Sequence, residues 1–227
     1  MKELIGVYNE VDLKIETFKK RWGVDCLEGC SRCCEIPSRR IEVSILELIP
    51  LSLHLWEEGE AEKYLERSNS IGDEDLCVLY RPGIYCGSGR CGFYQFRPLL
   101  CRLFGFSVVE DKSGRPRLSL CRWIKKEVPG IKEKLKNLID GGCDLPINSH
   151  YARRIVLLYP LYSQEFLPIN SALKRALEVV GLRLSLLRRS STYLLQENSI
   201  NINPHYFGYF PISAKQSRIL GMTNSLT

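Results

Sequence analysis

The sequence has few histidines and no long apolar run, and each shortage excludes a class of protein. His54, His150 and His205 are isolated, and no Ser/His/Asp set or paired-carboxylate motif can be found, so nothing supports a hydrolase. The longest apolar run, "IVLLYPLY" at residues 155–162, is far shorter than the roughly 20 residues that a membrane-spanning helix needs. We therefore expect no association with a membrane.

A secretory signal is also lacking, and this bears on the state of the cysteines. The first 22 residues contain acidic side chains throughout and no continuous apolar segment. We therefore expect a cytoplasmic protein whose thiols are mostly reduced. A chain of 227 residues can bury a sizeable core without disulfides, so its ten cysteines are more than stability requires.

Basic charge is concentrated in the C-terminal third. Residues 1–144 contain 23 Lys+Arg and 23 Asp+Glu, whereas residues 145–227 contain 9 and 3. We expect a cysteine-cluster metal-binding domain with an N-terminal amphipathic helix at 1–144, and a basic helical region packed on it at 145–227. The basic region is either a solvated helix face or a surface for nucleic acid or an acidic partner.

Apolar residues at helical spacing predict a helix near each end of the chain. The first stripe comprises Leu4, Tyr8, Val11, Ile15, Phe18 and Trp22. The last comprises Leu173, Leu177, Val180, Leu184 and Leu187. Between them, Ser44 and Glu47 resemble a capping box, and Pro50 should kink or restart the helix that follows. Further helices are predicted at 129–142 and 151–159, and the tail after Ser190 should be irregular.

The helical period disappears between residues 73 and 123, where glycine, proline and cysteine are dense. "RLFGFSVVE" and "RPRLSLCRW" flank "DKSG" and predict a β-hairpin. The expected fold is therefore mainly α, with a small irregular cysteine-rich centre and a short β-hairpin.

The cysteines themselves predict a metal site, because nine of the ten lie between positions 26 and 121. Cys26, Cys30 and Cys33 form a CxxxCxxC pattern. Three local thiolates with a remote fourth suit an iron–sulfur cube, so a [4Fe-4S] cluster is favoured over zinc. Adjacent Cys33 and Cys34 point in different directions on an extended backbone, which suggests more than a single four-thiolate ion.

Arginines near the cysteines offer a way to balance the charge of such a site. Four thiolates around a dication leave a net negative charge that needs donors around it. Arginine supplies several N–H groups and keeps its charge. Arg97 and Arg102 are the best candidates for this second layer.

"CLEGCSRCC", "CVLY", "CGFYQFRPLLCRLF" and "CRW" together resemble the YkgJ-like CxxCxxCC cysteine-cluster proteins, which are described as zinc- or iron-chelating domains. The resemblance covers residues 26–123 and departs from the pattern in its CxxxC start. It implies the metal ligands Cys26, Cys30, Cys33, Cys34, Cys77, Cys91, Cys101 and Cys121. Cys86 and Cys143 fall outside the pattern.

A more distant resemblance is to the flagellin lysine N-methylases, which carry a similar double-cysteine cluster. That resemblance implies methyl transfer from S-adenosylmethionine. Three functions remain open from the sequence: an iron–sulfur protein with redox or methyl-transfer chemistry, a zinc-stabilised module that binds RNA or a protein, and a protein of metal trafficking or sensing. In each case, removal of the metal should unfold the cysteine-rich centre, which has little core of its own.

Overall fold

The structure is a computed structural model that describes residues 1–26, 30–85, 88–127, 130 and 145–196, with the backbone alone at 127 and 188–196. Several sequence-based expectations lie outside the described residues, and they concern the helix at 129–142, Cys86, Cys143 and His205. Within the described residues, no helix is both long and apolar enough to cross a membrane.

Helices dominate the described residues, as the sequence predicts. They are α1 (Lys2–Trp22), α2 (Ile45–Glu57), α3 (Ala61–Ser70), α4 (Leu99–Leu103), α5 (Arg122–Glu127), α6 (Asn148–Leu158), α7 (Pro160–Ser163) and α8 (Ile169–Gln196). Short 3-10 turns occupy Ser38–Arg40 and Tyr94–Phe96. The helix α8 continues six residues beyond Ser190, where an irregular tail is predicted. That prediction is wrong for 191–196, because the polar residues there do not interrupt the helix.

Short strands pair in three antiparallel sets. They are β1 (Glu42–Ser44), β2 (Tyr80–Arg81), β3 (Arg90–Cys91), β4 (Phe106–Glu110), β5 (Pro116–Leu120) and β6 (Phe166–Pro168). The predicted hairpin is confirmed as β4–β5. β2 pairs with β3, and β1 pairs with β6 from far along the chain.

The amphipathic stripe of α1 is confirmed. Leu4, Val11 and Phe18 are buried on one face, and the helix ends at Gly23, whose φ of 61° lies in the left-handed region that glycine adopts readily. The capping box of α2 is also confirmed, with Ser44 and Glu47 bonding reciprocally. The helix runs through Pro50 without restarting, since packing of the helix residues around the proline outweighs one lost hydrogen bond.

Two apolar cores hold the described residues together. The first joins α1, α4, the β4–β5 hairpin, α5 and α6. The second joins β1, α2, α3 and the first half of α8, with Leu48, Leu51, Leu173 and Leu177 fully buried. The cysteine-rich centre lies along the second core, which therefore supplies its rigid support.

The contact between α2 and α8 depends on a glycine. A Cβ at Gly181 would lie 2.5 Å from Cζ2 of Trp56, and the Trp56 ring is held by its Nε1 donating to the Leu177 carbonyl at 3.0 Å. We expect Gly181→Ala to lower the free energy of unfolding by about 1–2 kcal/mol, since overpacking outweighs the better helix propensity of alanine.

Gly6 offers a matched control, because it also lies inside a helix but has nothing within 4 Å of its added Cβ. Gly6→Ala should raise the free energy of unfolding by roughly 0.5–1 kcal/mol. Urea denaturation of the two variants checks both signs. Stabilisation by both alanines would show that the helices are not packed as closely as the structure has them.

Candidate metal centre

Six cysteines from four separate segments line one open cavity. They are Cys30, Cys33, Cys34, Cys77, Cys91 and Cys101. The cavity has a volume of about 180 Å³. All eight cysteines among the described residues are free thiols. The clustering that the sequence predicts is thus present as a gathering of thiols around a shared space.

The double-cysteine segment is fixed to the β2–β3 loop by hydroxyl and carboxylate groups. Oε1 of Glu35 accepts from Ser31 Oγ at 2.8 Å and from the Tyr80 hydroxyl at 2.7 Å, and Ser31 Oγ accepts from the Gly89 N–H at 3.0 Å. Cys91 lies opposite Tyr80 in the strand pair. Cys33, Cys34 and Cys91 therefore belong to one connected unit.

Cys77 is positioned by the start of α8. The buried side chain of Asn170 accepts from the Val78 N–H at 2.8 Å and donates to the Leu76 carbonyl at 3.1 Å. One amide thus holds the backbone on both sides of Cys77. This contact joins residues more than 90 positions apart, so no local pattern in the sequence reveals it.

Cys101 is positioned by a buried carboxylate. Oε1 of Glu47 accepts from the Leu99 N–H at 2.8 Å, at the start of α4, and Oε2 caps α2. The hydroxyl of Tyr8 also donates to Oε1, at 3.4 Å. Glu47 therefore ties α1, α2 and the helix that carries Cys101 to one another. The capping box in the sequence predicted that Glu47 caps α2. Its hydrogen bonds to Leu99 and Tyr8 were not predicted, because they join residues far apart in the sequence.

Arg97 is the cation most closely associated with the thiols. Its Nη1 donates to the Cys101 carbonyl at 3.3 Å, its Nε donates to the Tyr94 carbonyl at 3.1 Å, and its guanidinium lies 3.5 Å from the centre of the Tyr94 ring. Its charge also helps to lower the pKa of Cys33. The charge-balancing role that the sequence suggests for Arg97 stays a prediction.

Arg102 lies on the other side of α4 and bonds to backbone and to α1. It is 8% exposed, its Nε donates to the Arg97 carbonyl at 2.7 Å, and its other nitrogens bond to Asp12 and to the Gln95 carbonyl. Arg102 therefore holds the segment 95–97 in place. The second-layer role of Arg102 stays a prediction.

The two adjacent cysteines share a hydrogen bond that separates their pKa values. Their sulfur atoms are 4.0 Å apart. The bond from Cys34 lowers the pKa of Cys33 to about 7, and the same bond, with burial, raises that of Cys34 strongly. Burial raises the pKa of Cys77 to about 12 and raises that of Cys101 as well. One thiolate is thus available near neutral pH, beside thiols that a metal would have to deprotonate.

Cys26 and Cys121 do not line the cavity. Cys121 packs against the first core, where a Cβ on Gly105 would lie 3.1 Å from its own Cβ. Cys26 lies at the surface, yet desolvation and the charges of Cys33 and Cys121 raise its pKa. These two thiols therefore lie outside the set that surrounds the cavity.

The donor set suits a soft, thiophilic metal. Thiolate is the preferred ligand of zinc and of iron–sulfur clusters, and six thiols converge on one cavity. In the described part of the chain, no three Cys, His, Asp or Glu side chains are close enough together to hold one ion as they stand. A metal would therefore draw the thiols inward from the cavity walls.

A family model matches residues 25–127, which contain all of these segments. It is the CxxCxxCC family, with the description "Putative zinc- or iron-chelating domain". This part of the chain therefore matches the cysteine-cluster family that the motifs resemble, as the sequence predicted. Comparison with curated proteins and with solved structures gave no match. Nothing in the comparisons supports the resemblance to flagellin methylases.

Proposed function

We propose that this protein holds an iron–sulfur cluster, of the [4Fe-4S] type, in the cysteine-lined cavity. The observation that carries the proposal is the size of the space that the thiols surround. A structural zinc ion and a [4Fe-4S] cluster each take four cysteine ligands, so the six thiols suffice for either. A cavity of about 180 Å³ far exceeds the roughly 10–15 Å³ that one water-sized species occupies, and this favours a multi-atom cluster over a single ion.

The ligands are drawn from the thiols predicted from the sequence. Cys30, Cys33, Cys34, Cys77, Cys91 and Cys101 surround the cavity, and Cys26 and Cys121 lie outside its lining. The site therefore has thiols to spare after one cluster is bound by four of them. Arg97 offsets the thiolate charge, and Arg102 keeps Arg97 in position.

A bound cluster would supply redox chemistry and, at an iron with an open position, a site for a ligand. The residues of the chain set the conditions for that chemistry. Phe93 and Phe96 exclude water from one wall, where Phe96 stacks on His54 with ring centres 4.9 Å apart. Arg97 provides a fixed positive charge beside the thiols. Methyl transfer from S-adenosylmethionine has no support in these contacts.

The test is metal analysis after anaerobic purification of the full chain. We expect about four irons per chain and broad visible absorption, which bleaches on reduction. Chelation should then loosen residues 30–35 before the helices, as seen by hydrogen exchange, because none of these residues belongs to either core. A colourless protein with one or two zincs and no iron would contradict the cluster.

Zinc is the second candidate, because the matched family is described as zinc- or iron-chelating. In that case the metal shapes a scaffold, and the basic region 145–227 is the binding surface. Its described helix α8 packs on α2 and α3, which agrees with the proposal that this region rests on the metal-binding part. RNA binding that weakens steeply with salt would support this candidate.

A further inference from the structure

The cavity that holds the cysteines is also lined by three arginines and by no described carboxylate. Arg40, Arg90 and Arg97 line it, and none of the described lining residues is Asp or Glu. Arg40 follows the double-cysteine segment, and Arg90 directly precedes Cys91 in β3. Arg97 offsets thiolate charge, which leaves Arg40 and Arg90 as positive charges at the cavity that favour an anion.

Two of these arginine side chains have no polar partner among the described residues. Arg40 and Arg90 are exposed at the cavity, and neither side chain makes a hydrogen bond or an ion pair with any residue that the structure describes. By contrast, the neighbouring Arg39 pairs with Glu74 at 2.5 Å. Arg97 is held by two carbonyls, its charge helps to lower the pKa of Cys33, and it partly offsets the rise that burial causes in the pKa values of Cys91 and Cys101. Neither Arg40 nor Arg90 is a principal influence on those three thiols.

The remaining walls are aromatic and partly uncovered. Phe93, Tyr94, Phe96 and Phe104 line the cavity, and Tyr94 and Phe104 are 61% and 44% exposed. Burying such large apolar surface against a ligand is favourable, and concave apolar sites with a few convergent polar groups are typical of small-molecule sites. The arginines and the aromatic side chains that line the cavity together suit a ligand with an anionic group and an apolar body.

We propose that the cavity binds a small organic anion, with its carboxylate or phosphate group between Arg40 and Arg90 and its apolar body against Tyr94 and Phe104. This inference deepens the proposed function, and it rests on it in one respect: the thiols below the anion are engaged by metal. The bound molecule would then share the cavity with the metal centre and act as a ligand of that site.

Binding of simple probes to the anaerobically purified full-length protein tests this inference. Phenyl phosphate and benzoate carry the two anionic groups on an aromatic ring, and benzyl alcohol carries none. Calorimetric titration should show saturable binding of at least one anion and none of the alcohol. In Arg40→Gln/Arg90→Gln we expect the affinity for the anion to fall by about tenfold or more, since two charge-assisted contacts are lost.

The matched control is Arg115→Gln/Arg117→Gln, which removes the same charge from the β4–β5 hairpin, outside the cavity lining. Its affinity for the anion should lie within about twofold of that of the natural protein, because salt screens charges that are not in contact with the ligand. Which of the two anions binds distinguishes a carboxylate ligand from a phosphate ligand.

Three binding results would overturn the inference. They are absence of binding by either anion, equal binding of benzyl alcohol, and unchanged binding in the Arg40/Arg90 variant. Loss of metal from that variant alone would also overturn it, because these arginines would then offset thiolate charge. Metal content, measured in the same samples, separates the two proposals. Iron without anion binding leaves the cluster standing, and anion binding without iron removes only the cluster.

Discussion

Cys101→Ser is expected to remove most of the bound metal while leaving the helical frame folded. Cys101 lines the cavity, and Cys77, Cys91 and Cys33 are close enough to act on its thiol electrostatically, so it belongs to the group of thiols that a metal would engage. A serine hydroxyl is a poor ligand for the soft metals that thiolates bind. Cys33→Ser and Cys34→Ser should each reduce the metal content as well, because both line the same cavity.

The measurement is metal per chain after anaerobic purification, with circular dichroism to confirm that the helices are retained. Cys143→Ser is the control, since Cys143 lies outside both the described residues and the cysteine pattern, and it should keep the full metal content. An equal loss at Cys143 would mean that the spare thiol is misassigned. Full retention in Cys101→Ser would remove Cys101 from the ligand set.

Glu47→Ala is expected to lower the free energy of unfolding by about 3 kcal/mol. The change removes the capping box of α2, which is worth roughly 0.5–2 kcal/mol. It also leaves the Leu99 N–H and the Tyr8 hydroxyl without their acceptor in a buried place, at about 1–3 kcal/mol for an unsatisfied group. Urea denaturation measures the loss.

Glu66→Ala is the matched control, because Glu66 is exposed on α3. It should change stability by less than about 0.5 kcal/mol. The Glu47 variant should also retain metal less well, since the start of the helix that carries Cys101 is no longer anchored. A variant as stable as the natural protein would show that the Leu99 N–H finds another acceptor.

Much of the secondary structure could be predicted because it is encoded locally. The stripe of α1, the Ser44–Glu47 cap and the "DKSG" hairpin each depend on residues a few positions apart, and all three are confirmed. The gathering of thiols was equally predictable from cysteine density. These signals indicate which residues form an element or a site, but they do not indicate how the side chains are arranged relative to one another in three dimensions.

What the sequence could not reveal depends on distant partners. Arg97 and Arg102 look alike beside Cys101, yet one lines the cavity and the other turns to Asp12 on α1. The anchoring of Cys77 by Asn170 is equally invisible, because an asparagine before a helix looks like an ordinary start signal. Pro50 shows the converse case, in which a strong local signal is overruled by packing of α2 against α8.

The anchoring of Cys77 by Asn170 also sets an order of events during synthesis. Ribosomes add about 5–20 residues per second, so several seconds separate the emergence of Cys77 from that of Asn170. β6 and α8, which complete the support of the cavity, emerge later than every cysteine that lines it. The thiols are therefore all present before their scaffold exists. Metal delivered to the finished chain meets an assembled cavity, whereas metal delivered earlier meets cysteines on a segment that has not yet folded.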